Sequence, residues 1–542
     1  MSDTTEKAAA LVPAGSAPVA DAQTVAGAEW WRSAVIYEVY VRSFADGDGD
    51  GIGDLEGLRS RLAHLRDLGV DAVWLTPFFR SPMVDGGYDV ADHRDVDPSF
   101  GTLADFDAML AAAHGLGLRV IIDLVPNHTS SAHPWFLQAL QELPGSAARA
   151  RYHFHPRTPD GRPPNDWESV FGGPAWTQAP DGEWYLHLFD PAQPDLNWDN
   201  ADVRAEFESV LRFWLDRGVD GFRVDVAHGC VKAPGYPHAG TTGQIGLLGR
   251  RELPYFDQDG VHDIYRAWRK VLDSYPGQRM AVAEAWASTP QRLARYVCAE
   301  ELHQAFNFEF LQAKWDDAAE VKAVIDSCIH AAGSVGAPTT WVLSNHDVRR
   351  HPTRLGSLTR ANAAALLMLA LPGSAYVYQG DELGLPEVLD LPDAARQDPV
   401  WFRSNGTDPG RDGCRVPLPW TAEGPSYGFS PGGKAWLPQP STWAALSPEA
   451  QSADPSSTLA LYRSALRLRR SIAGPLRWNE SADGVLDFSR GDLRCVVNLS
   501  GAPVELEPEP GAAVVLANVE VLDGRLPADG TVWIIARSST FV

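Results

Sequence analysis

The sequence predicts an α/β fold: a (β/α)8 TIM barrel with an inserted loop-rich subdomain after strand 3 and a C-terminal all-β sandwich domain. Three observations carry that prediction. Eight short β-rich runs alternate with helical segments between residues 34 and 378, and strands separated by crossovers in that number fit a closed parallel barrel. No Gly-rich phosphate turn follows the first run, although a doubly wound open sheet would normally carry one there. Beyond a final amphipathic, Arg-rich segment over Ser456–Ser471, the pattern changes to short strands separated by turns.

The eight runs are Ala34–Val41, Ala72–Leu75, Val120–Leu124, the strand opening at Gly221, Met280–Ala283, Ala305–Phe308, Thr340–Ser344 and Ser374–Tyr378. Helical spacing covers Leu55–Leu68, Leu103–His114, Val203–Asp216 and about Val261–Leu272. The stretch from about Thr129 to Asn197 is dense in Pro, Gly, Trp and His. A structureless loop of that length is improbable inside one compact unit, so it reads as an inserted subdomain. The tail offers strands at Gly484–Phe488, Leu493–Leu499, Val514–Leu516 and Val532–Ala536. The chain then divides into a disordered leader (1–28), the barrel (29–128 and 199–475), the insert (129–198) and the C-terminal β domain (476–542).

Composition narrows the partners. The 542 residues are 44% hydrophobic and 21% charged, ordinary for a globular protein. A formal net charge of -24 repels nucleic acid and anionic membrane alike. No apolar run approaches the roughly 18 residues of a membrane span; the longest, Ala363–Leu371, ends at Pro372-Gly373 and reads as a buried helix. The leader lacks a basic n-region followed by an apolar core, so it does not read as a secretory signal. The five cysteines, Cys230, Cys298, Cys328, Cys414 and Cys495, are scattered with no C-x-x-C spacing. They predict free thiols in a reducing compartment, hence a cytoplasmic protein.

The chemistry gathers at strand ends, where barrels of this kind place it. In Gly221-Phe222-Arg223-Val224-Asp225, period-two alternation sends Arg223 and Asp225 to one face. A guanidinium beside a carboxylate in a partly buried cleft keeps it ionised, as a carboxylate nucleophile requires. Three further strands end in polar residues: Asp123 through Asn127-His128, Glu284-Ala285-Trp286, and Ser344-Asn345-His346-Asp347. Glu284 follows Met280-Ala281-Val282-Ala283 and precedes Trp286, an apolar setting suited to an acid's role. Two such carboxyls suggest glycoside transfer: one attacks an anomeric carbon, the other protonates the leaving oxygen. The histidines can donate hydrogen bonds to sugar hydroxyls, and aromatics can stack on sugar rings.

DLVPNH, GFRVDVAH, the glutamate of VAEAW and SNHD, in this order, closely resemble the four signature regions of the α-amylase family of retaining glycosidases. QPDLNW at Gln193–Trp198 resembles a fifth. The resemblance implies Asp225 as nucleophile, Glu284 as general acid/base and Asp347 as transition-state stabiliser, with His128, Arg223 and His346 holding the sugar. Within the family, the chain is most similar to the α-glucosidase and oligo-1,6-glucosidase branch. Asp85-Gly86-Gly87-Tyr88 matches the segment whose acid binds the terminal sugar and whose tyrosine stacks beneath it, and Phe189 and Gln193 match pocket residues. Arg411-Asp412-Gly413-Cys414-Arg415 resembles the branch's late arginine motif, with Arg415 favoured over Arg411 as the pocket arginine.

The run Asp46-Gly-Asp48-Gly-Asp50-Gly-Ile52-Gly-Asp54 sets carboxylates at alternate positions of a Gly-rich turn. That is how a loop wraps a hard cation, and with the branch resemblance it implies a structural Ca2+ held by Asp46, Asp48, Asp50, Asp54 and the Ile52 carbonyl. The expectation is a cytoplasmic retaining α-glucosidase whose partner is a small α-glucoside. The rivals are a transglucosidase or mutase of the same family, and a non-catalytic barrel. The latter would have lost its carboxylates, which this chain keeps.

Overall fold

The computed structural model describes residues 29–506 and 511–536; the expected leader lies outside them. Eight strands build one parallel sheet: β1 (Val35–Val39), β2 (Ala72–Leu75), β3 (Arg119–Leu124), β4 (Gly221–Val224), β5 (Met280–Ala283), β6 (Gln304–Ala305), β7 (Thr340–Val342) and β8 (Ser374–Tyr378). Their order is β6-β5-β4-β3-β2-β1-β8-β7. A parallel bridge from Phe306, just past β6, to Thr340 in β7 closes the ring. Each run read from the sequence overlaps one of these strands, although the sixth overshoots: β6 ends at Ala305 and Phe308 begins a short helix.

The helices form where their apolar residues recur every three or four positions. In α1 (Leu55–Leu68), Leu55, Leu58, Leu62, Leu65 and Leu68 bury one face. Asp54 caps its start by accepting from the Gly57 N–H, and Gly69, at φ 98°, ends it in a left-handed turn that a Cβ would strain. The expected segments become α2 (Leu103–Gly115), α3 (Ala201–Asp216) and α4 (Val261–Asp273), each within two residues of its predicted ends. The apolar run after residue 360 becomes α6 (Leu358–Ala370), following α5 (Ala318–Ser334). Nine of its residues are buried because it lies between barrel and tail. Trp533 Nε1 and Thr531 Oγ1 of the tail donate to the Leu366 and Ala363 carbonyls of α6. Gly373 is required where β8 starts: at φ 99°, a Cβ there would sit 2.1 Å from the Thr339 carbonyl oxygen.

Between β3 and α3 the irregular stretch folds around a helix, Pro134–Gln141, and three short antiparallel strands, Phe154–His155, Trp176–Gln178 and Trp184–Leu186. Trp167, Trp176, Trp184, Leu186 and Leu188 cluster there with Val226 and Phe256 of the barrel rim. The antiparallel bridge His128–Asp195 ties the exit of the insert to the segment after β3, and Tyr152–Leu196 ties that exit to the insert's own interior. The C-terminal domain is a five-stranded antiparallel sheet formed by Arg477–Trp478, Val485–Arg490, Leu493–Asn498, Ala512–Ala517 and Gly530–Ala536. A two-stranded ribbon, Val504–Glu505 with Arg525–Leu526, covers its outer face through Val496, Leu506, Leu526, Val532 and Ile534.

The barrel interior explains where the site lies. Ile36, Ala72, Trp74, Ile121, Met280, Val282 and Tyr376 fill its lower layers. One step further along each inward-facing file the residue becomes polar: Ile36 gives way to Glu38, Ile121 to Asp123, Gly221 to Arg223 and Asp225, and Val282 to Glu284. Apolar layers below and charges above put the chemistry at the C-terminal rim.

Candidate active site

A cavity of about 1000 Å3, including its mouth, opens at that rim. Asp85, Tyr88, His128, Phe189, Asp225, Glu284 and Asp347 all line it. The other residues expected from sequence, Gln193, Arg223, His346 and Arg415, lie directly behind these and touch them.

Arg223 is the centre of charge. Its Nη1 donates to Asp225 Oδ1 at 2.5 Å and to Asp123 Oδ1 at 3.0 Å, and its Nη2 lies 3.8 Å from Glu284 Oε2. The guanidinium packs over the Trp74 and Tyr88 rings. It is therefore shared, and does not serve Asp225 alone as its strand position suggested. Burial pushes the Asp225 carboxyl well above the usual carboxylate range; Arg223 pulls it back, while Glu284, Asp123 and Asp347 add to the rise. The Arg223 guanidinium, bonded to Oδ1, favours the ionised form that a nucleophile needs.

Both oxygens of Glu284 are oriented. Oε1 accepts from Trp286 Nε1 at 2.8 Å, and Oε2 from the Val226 N–H at 2.7 Å. Val226 presents that N–H from φ 44°, a left-handed conformation rare for a β-branched residue. The residue after the nucleophile thus aims the second carboxyl.

Asp347 accepts from Arg411 Nη1 at 3.1 Å and Arg415 Nη2 at 2.9 Å, with His346 Nε2 3.3 Å away. Burial pushes its carboxyl up, but His346, Arg411, Arg415 and Arg223 outweigh burial and hold it well below the usual range. His346 packs against the Tyr88 and Tyr40 rings, meets Tyr88 Oη through Nε2 and Glu38 Oε1 through Nδ1. Burial, with Arg415, Arg223 and Arg411, pulls its imidazole well below the ordinary histidine range, while Asp347 opposes the fall. His128, pushed down to about 4 by burial, meets Gln193 Nε2 at 3.1 Å, and Gln193 Nε2 also donates to Asp85 Oδ2.

The choice between the two late arginines is corrected. Arg411 lines the cavity, where its Nη2 pairs with Asp85 Oδ1 at 2.6 Å. Arg415 lies behind, donating to the His346 carbonyl and stacked on Tyr40. The short helical turn Asp412–Cys414 between them faces the first arginine inward. Sequence reasoning also missed Glu38, 1% exposed and bonded to His346. A lone carboxylate in an otherwise apolar first strand was its available signal. Lys232 was missed too: its Nζ pairs with Asp195 Oδ2 at 2.7 Å and donates to Asn127 Oδ1, beneath the rim.

In the acidic loop, ligand oxygens of Asp46, Asp48 and Asp50 lie within 4.8 Å of one another. Asp54 does not join them. Its Oδ1 caps α1 at Gly57, and its Oδ2 accepts from the Gly47 and Asp48 N–H groups. Three clustered carboxylates on a tight turn suit a hard cation, with Asp54 shaping the loop from outside.

The catalytic geometry coincides with a match of the alpha amylase catalytic domain model over residues 38–474. The chain belongs to the α-amylase family. A domain of unknown function, DUF3459, matches residues 482–533 of the C-terminal sheet. Among this family's members, the chain is 38% identical to a probable alpha-glucosidase of Rhizobium meliloti (strain 1021), over 93% of this chain and 96% of that one. It is 36% identical to an oligo-1,6-glucosidase of Parageobacillus thermoglucosidasius, covering 81% and 84% respectively. The crystal structure of an alpha-glucosyl transfer enzyme, XgtA, superposes with a TM-score of 0.85 at 38% identity, covering 94% of this chain and all of that one.

Proposed function

We propose that this α-amylase family member is a retaining, exo-acting α-glucosidase that releases terminal glucose from short α-glucosides. The observation that carries the reading is the closed end of the cavity. We read the Asp85–Arg411 pair, with Gln193 behind Asp85, as a wall of the cavity that Asp225 and Glu284 also line. A chain cannot thread past such a wall, so only a terminal glucose fits. Asp225 attacks C1 as Glu284 gives its proton to the leaving oxygen; Glu284 then takes a proton from water as that water displaces Asp225 from C1. Two inversions return the starting configuration. Proton NMR of the first-formed glucose should show the α-anomer, and the β-anomer would overturn the assignment.

Maltose-type substrates are the favoured class. Val226 lines the cavity beside Glu284, and so do Leu248 of the long loop after β4 and Phe256 just beyond it. One side chain shifts discrimination by about 1–3 kcal/mol at most, so the larger loop governs linkage. kcat/KM should be higher for maltose than for isomaltose, and Val226→Thr should narrow or widen that ratio without reversing it. A wild type that prefers isomaltose, reversed by the threonine, would give the choice to Val226.

A Ca2+ held by Asp46, Asp48 and Asp50 is the reading that their clustering supports, with a structural role. Binding to the native state alone stabilises by about 3 kcal/mol at a hundredfold excess over Kd. EDTA should therefore lower Tm before it lowers the rate, and added Ca2+ should restore it. A Tm indifferent to both returns the loop to a solvated turn. A cytoplasmic location is supported by five cysteines that are all free, four of them buried. Among the described residues no helix is long and apolar enough to cross a membrane.

A further inference from the structure

A second cavity, about 700 Å3 including its mouth, lies beside the catalytic one, between the ends of β5 and β6, the helix Pro290–Arg295 and α5. Leu293, Val297, Phe306, Phe308 and Ala331 give it an apolar lining. The two cavities share Leu248 and Trp286. Trp286 belongs to both functionally as well: its Nε1 holds Glu284 Oε1, while its ring stacks on Phe308 at 4.2 Å. Gly249 closes against that ring so tightly that a Cβ would lie 3.3 Å from it.

Three polar side chains of this lining are already engaged with the protein. Cys328 Sγ donates to Glu309, the Asn307 side chain caps the Phe310 N–H, and Thr289 caps Arg292. A sugar would find few partners there, whereas an alkyl chain or aromatic ring would leave none of these groups unpaired. The leaving oxygen must sit at Glu284, so its substituent starts at the Leu248–Trp286 rim that the two cavities share.

We propose that this cavity is an aglycone site for apolar alkyl or aryl groups, filled when the glucose of the same molecule occupies the catalytic pocket. The proposal rests on the α-glucosidase reading. It alters only what departs: the C1–O bond breaks, the aglycone leaves as the alcohol with the proton from Glu284, and water supplies the new hydroxyl.

Alkyl α-glucosides test it, because their leaving alkoxides are near-equal in basicity and differ in apolar area alone. Across methyl, butyl, hexyl and octyl α-glucoside, kcat/KM should rise by up to about fourfold per buried methylene. The octyl-to-methyl ratio should collapse toward one in Ala331→Phe, which fills the cavity, and in Gln312→Trp, which covers it from an exposed lining position. Should the buried Ala331→Phe fail to fold by circular dichroism, Gln312→Trp decides alone. A flat wild-type series, or a rise that survives in the folded variants, overturns the aglycone site. Failure to hydrolyse maltose and every alkyl glucoside would instead overturn the glucosidase reading itself.

Discussion

Asp225→Asn is expected to abolish turnover of every α-glucoside while Tm stays close to wild type. The exchange removes the nucleophile but almost no volume, and the amide oxygen can still accept from Arg223, which bonds Asp225 in the native site. Glu284→Gln should behave differently. General acid catalysis is typically worth about 10^2–10^4-fold, so maltose hydrolysis should fall by that order. Nitrophenyl α-glucoside, whose leaving group needs no proton, should lose far less in the first step and accumulate a glucosyl-enzyme. Gln keeps one acceptor oxygen, enough for the Val226 N–H or for Trp286 Nε1 but not for both, because these bond separate oxygens of Glu284; circular dichroism should check that the variant folds. Equal loss on both substrates would deny Glu284 the acid's role.

The largest stability effect is expected at Lys232. Its side chain is 1% exposed and that of Asp195 fully buried, and the pair joins three segments. These are the loop after β4, the Asn127 turn after β3 and the exit of the insert, where Asp195 Oδ1 also accepts from the Leu188 N–H. Lys232→Met keeps the stem but strands a buried carboxylate, which costs about 3–5 kcal/mol. Urea denaturation should register that loss. Adding Asp195→Asn should recover part of it, since the uncompensated charge is then gone. A Lys232→Met variant as stable as wild type would mean that water reaches Asp195.

Much of this molecule is legible in its sequence because local signals and the fold agree. Leu55–Leu68 reads as a helix from leucines three and four apart and is one to the residue. The barrel strands show themselves as short apolar runs. What stays hidden depends on distant partners or on one turn of backbone. Glu38 looks like the polar face of a half-exposed strand until His346, 308 residues away, closes over it. Arg411 and Arg415 share one motif, and only the turn between them selects which faces the sugar. Asp54 was grouped with its neighbours by spacing, though an aspartate just before an apolar helical run is equally an N-cap signal. Lys232 gave no sign, because its meaning depends on Asp195 in the folded-back insert.

The seam of the barrel sets a timetable for activity during synthesis. β1 is bracketed by β2 on one side and β8 on the other, and the wall of the glucose pocket joins Asp85 to Arg411 across 326 residues. A chain emerging from the ribosome carries Asp225 and Glu284 on the order of ten seconds before Arg411 is polymerised. During that interval it has its nucleophile and its acid but no pocket to present them to. The chain should be silent while nascent and begin to work only once Arg411, beyond the last barrel strand, has reached Asp85.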